Sequence, residues 1–234
     1  MLIGPQNLTA RVSRVRARIT NAARAAGRDP ASVTLIAVTK AKAAEYVRSA
    51  ATAGVTDFGE NYLQEALAKM DELAGLGVRW HFIGALQSNK TRLVAERFDW
   101  VHGVDRLSIA RRLSDQRPFH APPLHACIQV ALVPEPGKAG VEPGALEELA
   151  RHVAGLPRLR LRGLMCIPPP LPDEPSQRAA FARLRVLLER LNSQGLGLDT
   201  LSMGMSADFE SAILEGATHV RIGTALFGSR QPGD

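Results

Sequence analysis

Eight short apolar runs alternate with segments of helical spacing from residue 33 to residue 222. Nothing else in the sequence limits the fold as tightly. The runs cover residues 33–40, 55–58, 80–83, 100–104, 124–132, 159–165, 198–202 and 218–222. They are rich in Val, Ile, Leu and Trp, and most lack polar alternation. A strand buried on both faces reads this way, because neither face meets water. Between them lie helical stretches, ending near residue 53 and then over 61–73, 89–96, 107–113, 144–153, 177–192 and 208–214. Eight strands alternating with helices in 234 residues predict an α/β chain, a (β/α)8 TIM barrel. A doubly wound open sheet is the alternative. The strand count and the lack of any composition break favour one barrel domain over residues 1–234.

An extra helix precedes the first strand. Leu8, Val12, Val15 and Ile19 recur at spacings of three and four, which puts them on one buried stripe. Asn7 is the expected cap and Gly27 the stop, so residues 1–27 read as a helix packed on the barrel. Several arginines crowd this helix and are given no function. Only 5% of the chain is aromatic, so the core must rest on Leu, Val, Ile and Ala.

The net charge of +6 is read as a solvated surface. No Lys/Arg run is interleaved with aromatics, so no nucleic-acid partner is expected. Cys127 and Cys166 lie in apolar strand-like segments and read as reduced, buried thiols. No apolar leader and no bilayer-length run is present, so no membrane partner is expected and the cytoplasm is the expected compartment. The six histidines show no metal-ligand spacing. Residues 137–140, Gly-Lys-Ala-Gly, lack the rest of a nucleotide-binding loop and read as a turn.

The first apolar run ends in Lys40. Barrels place their chemistry at the carboxyl ends of the strands. An amine there pairs with an anion or condenses with a carbonyl to make a Schiff base. The plainer reading is a surface lysine that ends a strand. The seventh run ends in Ser202-Met203-Gly204-Met205-Ser206. Gly204 would let backbone approach a ligand, and Ser206 would offer a hydroxyl at a helix start, or simply cap that helix. The eighth run leads through Arg221 into Gly223 and Thr224. Barrels commonly hold phosphate with the loops after strands seven and eight. Together these ends suggest a phosphorylated aldehyde as ligand. Pyridoxal 5′-phosphate (PLP) fits, and so does a phosphosugar bound by an imine aldolase.

Further stretches are Ala37-Val38-Thr39-Lys40, Phe58-Gly59-Glu60-Asn61-Tyr62, His81-Phe82-Ile83-Gly84, Leu86-Gln87-Ser88-Asn89-Lys90, Gly163-Leu164-Met165 and Arg221 through Gly228. With the Ser202–Ser206 stretch, they resemble, in order and over nearly the whole chain, the pyridoxal phosphate homeostasis proteins. That family is similar to the N-terminal barrel of alanine racemase. The resemblance implies that Lys40 carries PLP as an aldimine and that Ser206, Gly223 and Thr224 hold its phosphate. It sets Arg221 against the pyridine nitrogen, and Asn61, His81 and Met203 along the pocket. A cation at that nitrogen keeps it unprotonated and makes the ring a weaker electron sink.

Simpler readings stand beside these. Asn61 would cap a helix, His81 would be a satisfied core histidine, and Ser88 or Asn89 would cap the helix after Gln87. Arg221 would sit in a structural ion pair. The chain departs from the family pattern at Ala43, at Ala207 and over residues 134–137. Racemisation needs proton-transfer groups on both faces of the substrate carbon. The racemases take one of them, a tyrosine, from an additional domain, which is expected to be absent here. Tyr46 and Tyr62 match no such base. The expectation is a non-catalytic monomer that holds PLP and buffers it or delivers it to PLP-dependent apo-enzymes. A weak racemase is the alternative. The proline-rich stretch over residues 168–172 has no assigned role.

Overall fold

A computed structural model describes residues 5–133 and 139–228 of the chain. The loop over residues 134–137 therefore lies outside the described residues, as does half of the turn expected at 137–140. The strands are β1 (Thr34–Val38), β2 (Asp57–Glu60), β3 (Arg79–Phe82), β4 (Trp100–Val104), β5 (Leu124–Gln129), β6 (Leu159–Met165), β7 (Thr200–Ser202) and β8 (His219–Ile222). They form a closed barrel in sequence order, and every neighbouring pair is parallel. Closure comes from β1 and β8, where Thr34 lies beside His219 and Ala37 beside Ile222.

The helices are α1 (Pro5–Ala25), α2 (Ala44–Thr52), α3 (Leu63–Glu72), α4 (Thr91–Arg97), α5 (Leu107–Gln116), α6 (Leu146–Ala154), α7 (Glu174–Ser193), α8 (Phe209–Leu214) and α9 (Thr224–Phe227). The predicted stripe of α1 is buried at Leu8, Val12, Val15 and Ile19. It packs against α2, α8 and α9. Gly27 ends the helix at φ +66, where a residue with a Cβ is strained. Three arginines of α1 have structural work. Arg16 donates to Gly54 O at 2.6 Å, Arg11 to Leu226 O at 3.4 Å, and Arg18 to Glu210 Oε1 at 2.6 Å. These bonds tie the helix to the barrel's loops and outer ring.

Some boundaries differ from the sequence reading. The fifth strand stops at Gln129, and Val130 makes an isolated bridge with Val141. The first strand stops at Val38, so Lys40 lies in the turn beyond it. A run of apolar residues signals burial but not ladder pairing, and the fifth segment stays apolar past its last partner.

The main core lies between the barrel and the helices, where Leu, Val, Ile, Ala and Phe predominate. Much of the barrel interior is polar instead. Asp57, His81, His102, Ser202 and Arg221 all face into it and are buried. Among the described residues a small apolar cluster of Trp100, Cys127 and Met165 is separate from the outer core. Burial pushes the Cys127 and Cys166 thiols up to about 12, so both are inert and protonated.

Backbones approach most closely at β6 and β7. A Cβ at Gly163 would sit 1.8 Å from Thr200 O. Gly163→Ala must therefore push two paired strands apart, at a cost of about 1–3 kcal/mol or more. A lowered urea midpoint at unchanged m-value is the expected result of equilibrium denaturation.

Candidate functional site

Parallel strands in a closed barrel open all their carboxyl ends on one rim. Lys40 leaves β1 there, half-buried, with Thr39 and Ala41 on either side. Ala41 adopts φ +56, a left-handed conformation that costs a non-glycine residue roughly 1 kcal/mol or more. The surroundings hold the turn in place. Thr39 donates its hydroxyl to Glu60 Oε1 at 2.6 Å. Lys69 Nζ, from α3, donates to Thr39 O at 2.6 Å, Glu60 Oε1 at 2.7 Å and Glu65 Oε1 at 2.6 Å. Burial pushes the Glu60 carboxyl up, and the Lys69 ammonium opposes that push. Neither Glu60 nor Lys69 was singled out as a site residue from the sequence. The Glu65/Lys69 helical pair was visible there, but not its inward turn.

Beside this turn lies the end of β8, because β1 and β8 pair. A Cβ at Gly223 would meet Val38 O at 3.4 Å, an ordinary contact that shows how near the end of β1 lies. Gly223 and Thr224 open α9, whose first amides have no acceptor within the helix. Ser206 reaches across from the β7 loop, and its Oγ accepts from Ala225 N at 3.2 Å. Lys40, Ser206, Gly223 and Thr224 thus share one side of one rim. Ser206 does not cap the helix that follows it. Helix α8 starts at Phe209 with Asp208 at its cap position, and Asp208 Oδ1 takes Met205 N at 2.6 Å. The Ala207 departure therefore leaves an acidic side chain in this turn one residue later.

Gly204 serves packing rather than a ligand. It has φ +91, and a Cβ there would come within 2.6 Å of Ala212 Cβ and 2.9 Å of Phe209 Cα. The close approach is that of α8. Met203 is fully buried and joins the outer core, on the other side of the strand from Ser202. Asn61 follows β2 at the rim. Helix α3 begins two residues later, with Tyr62 at its cap position and no side-chain cap bond, so Asn61 is no cap. Its Oδ1 is buried and has no hydrogen-bond partner among the described residues. Such an acceptor is costly unless something donates to it. Neither Ser88 nor Asn89 caps the next helix, because a 3-10 turn over Ser88–Lys90 leads into α4 without a side-chain cap bond.

Arg221 lies in the barrel interior below the rim, almost fully buried. Its Nη1 donates to Ser202 Oγ at 2.8 Å and its Nη2 to Cys166 O at 2.9 Å. These partners are a hydroxyl and a carbonyl, not the carboxylate of an ion pair. Burial lowers its pKa, but guanidinium starts so high that it stays a cation. His81 is fully buried deeper in the barrel and stacked on Trp100, with ring centroids 5.6 Å apart. Both its nitrogens are engaged, with Asp57 Oδ1 at 2.9 Å and His102 Nε2 at 3.0 Å. The satisfied-histidine reading describes it. Burial alone would raise Asp57, but bonds from His81, Arg79 and Thr56 hold its carboxyl well below the usual range. Among the described residues no three His, Cys, Asp or Glu are grouped to hold a metal ion.

A cavity of about 450 Å³ opens beside the site. Gln129, Cys166, Ile167, Pro168, Met205 and Asp208 contribute to its wall. The proline-rich stretch thus forms one side of it through Pro168, Pro169 and Pro170.

With this geometry in view, comparison with known proteins is decisive. The family described as "Alanine racemase, N-terminal domain" matches residues 11–231. The pyridoxal phosphate homeostasis protein of Pseudomonas aeruginosa is 62% identical over 222 residues, covering 95% of each chain. This chain belongs to the pyridoxal phosphate homeostasis protein family. A solved structure of a relative, PipY of Synechococcus elongatus PCC7942 with PLP bound, is 39% identical with a TM-score of 0.84. It covers 94% of this chain and 100% of its own. Alanine racemase of Corynebacterium glutamicum, 18% identical with a TM-score of 0.67, shares the fold over 94% of this chain and 62% of its own.

Two outcomes follow for this member of the family. Lys69→Met strands the buried Glu60 carboxylate and should cost about 3–5 kcal/mol in denaturant unfolding, the range for breaking a buried pair. Asp57 has a depressed pKa, so its stabilisation is complete above the unfolded value of about 3.9 and is lost as pH falls through the folded one. Asp57→Asn should therefore be less stable at neutral pH. The gap from the unsubstituted protein should narrow below about pH 4 in a pH series of denaturation curves.

Proposed function

We propose that this chain binds PLP at the carboxyl rim of the barrel, and holds and buffers it without turning over a substrate. The observation that carries the reading is the seam between β1 and β8. It sets the Lys40 turn beside Gly223 and Thr224, with Ser206 bonded across to the same short helix. The PLP-bound structure of PipY supports the same ligand.

The residues fit the cofactor's chemistry. Lys40 supplies the amine for its aldehyde. Ser206, Gly223 and Thr224 supply a hydroxyl and helix-start amides for its phosphate. Asn61 Oδ1 is a buried acceptor in need of a donor, and the ring hydroxyl of PLP is one. When bound, PLP supplies an aldehyde and an electron-accepting ring. Arg221 weakens the second property, because a fixed cation at the pyridine nitrogen disfavours its protonation. That supports a holder over a racemase, as do the names of the relatives, which state homeostasis. His81 lies too deep in the hydrogen-bonded interior, and Met203 too far into the core, to be proposed as direct contacts.

In this reading the protein delivers PLP to apo-enzymes, in the cytoplasm. Two buried, unpaired cysteines support a reducing compartment. Among the described residues no helix is long and apolar enough to cross a membrane.

The purified protein mixed with PLP should turn yellow, and borohydride should fix a pyridoxyl group on the Lys40 peptide. Lys40→Ala should lose both signals. Amino-acid racemase turnover that vanishes in Lys40→Ala would overturn the passive reading.

A further inference from the structure

A continuous hydrogen-bonded chain crosses the barrel interior. Arg221 Nη1 lies 2.8 Å from Ser202 Oγ, which lies 2.8 Å from His102 Nδ1. His102 Nε2 is 3.0 Å from His81 Nδ1, and His81 Nε2 is 2.9 Å from Asp57 Oδ1. All five side chains are buried, and they come from five different strands, β8, β7, β4, β3 and β2. At the far end Arg79, largely exposed, grips Asp57 with two bonds of 2.7 Å. There a second cavity, of about 390 Å³, is lined by Arg16, Thr34, Asp57 and Arg79 among others.

The chain has one direction, fixed by its ends. A guanidinium only donates and a carboxylate only accepts. Ser202 accepts from Arg221, so its own hydrogen goes to His102 Nδ1. A neutral His102 then carries its proton on Nε2 and gives it to His81 Nδ1. His81 in turn carries its proton on Nε2, toward Asp57. Counting from the Asp57 end gives the same tautomers. Both rings stay neutral. Burial, the other histidines and Arg221 drive His102 down, and burial drives His81 down against the pull of Asp57.

We propose that Ser202, His102, His81 and Asp57 are positioning residues for Arg221. Their one-way chain fixes the plane of the guanidinium, and so how it meets the pyridine nitrogen of bound PLP. This rests on the PLP reading above. None of the four touches the cofactor. They act through Arg221, whose second anchor is Cys166 O. The opposite charges of Arg221 and Asp57 sit at the two ends of the chain, linked through neutral groups. Loss of Ser202 Oγ frees one guanidinium nitrogen and leaves His102 Nδ1 without its donor.

The test has an arm that needs no cofactor. In cofactor-free protein with isotope-labelled histidine, ring-nitrogen NMR shifts at neutral pH should report the Nε2–H tautomer for both His81 and His102. An Nδ1–H tautomer at either overturns the proposal. In the second arm, protein is loaded with PLP labelled at its pyridine nitrogen. Ser202→Ala should move that nitrogen's shift and weaken PLP binding about tenfold, the scale of one lost hydrogen bond to a charged group. Ser202→Thr, which restores the hydroxyl, should restore both. A merely structural serine would not show this rescue. An unchanged pyridine shift and affinity in Ser202→Ala, with the Lys40 adduct still formed, overturn the proposal. Failure of the unsubstituted protein to form that adduct overturns the PLP reading and the coupling with it, while the tautomers still decide whether the chain exists as drawn.

Discussion

The pairing of β1 with β8 is the contact on which the rest depends. Seven parallel pairings make an open sheet, and the eighth makes a barrel. Closure removes the two exposed edges and brings the chain's first strand beside its last. Residues nearly two hundred positions apart become neighbours on that seam, Lys40 past β1 and Gly223 past β8. An open sheet of the same strands, in the doubly wound order, would have its first strand in the middle and would scatter these groups. The N-terminal helix lies over the same region, against α2, α8 and α9, and three of its arginines fasten it to α8, α9 and the turn after α2.

Closure also creates an interior that has to be filled. Barrels usually fill it with layers of branched apolar side chains. Here a large part is a charged and hydrogen-bonded column instead. Such an arrangement survives burial only when its members are paired, since an isolated buried charge is strongly disfavoured. Arg221 and Asp57 meet that condition through Ser202, His102 and His81, with Cys166 O and Arg79 completing the ends. Trp100 closes one side by stacking on His81. The interior is therefore rigid for a different reason from the outer core. Directional bonds hold it in place, whereas the shell between barrel and helices is held by close packing.

At the rim the same division recurs between groups that face a ligand and groups that hold the frame. Gly204, Glu60 and Lys69 belong to the frame. The glycine admits α8, and the buried pair holds the strained turn that carries Lys40. Ser206 stands between the two roles, because its hydroxyl bonds Ala225 N and also faces the start of α9. Asn61 keeps an unsatisfied acceptor in the frame's wall. A fold that leaves a buried polar atom unpaired at its mouth has a feature that binding can use.

The sequence by itself determined the eight strands, the helix before them and the end of each strand where chemistry would lie. It could do so because burial on two faces writes an apolar run and burial on one stripe writes a spacing of three and four. It also marked Lys40, Ser206, Gly223 and Thr224, which lie past strand ends, and Arg221, which lies within the last strand. It did not reveal the column from Arg221 to Asp57. Histidine and serine inside strands carry no periodic signal, and their partners lie on strands far apart in sequence. It ranked a satisfied His81 level with a pocket wall, and only the ring's two bonded nitrogens separate them. The caps offered as simpler readings at Asn61, Ser88, Asn89 and Ser206 are absent from the helices that follow, because a capping residue is defined by one local bond that composition does not show. Tertiary structure alone decided which polar groups meet, because closing the barrel, not any local preference, sets the distances between side chains on different strands.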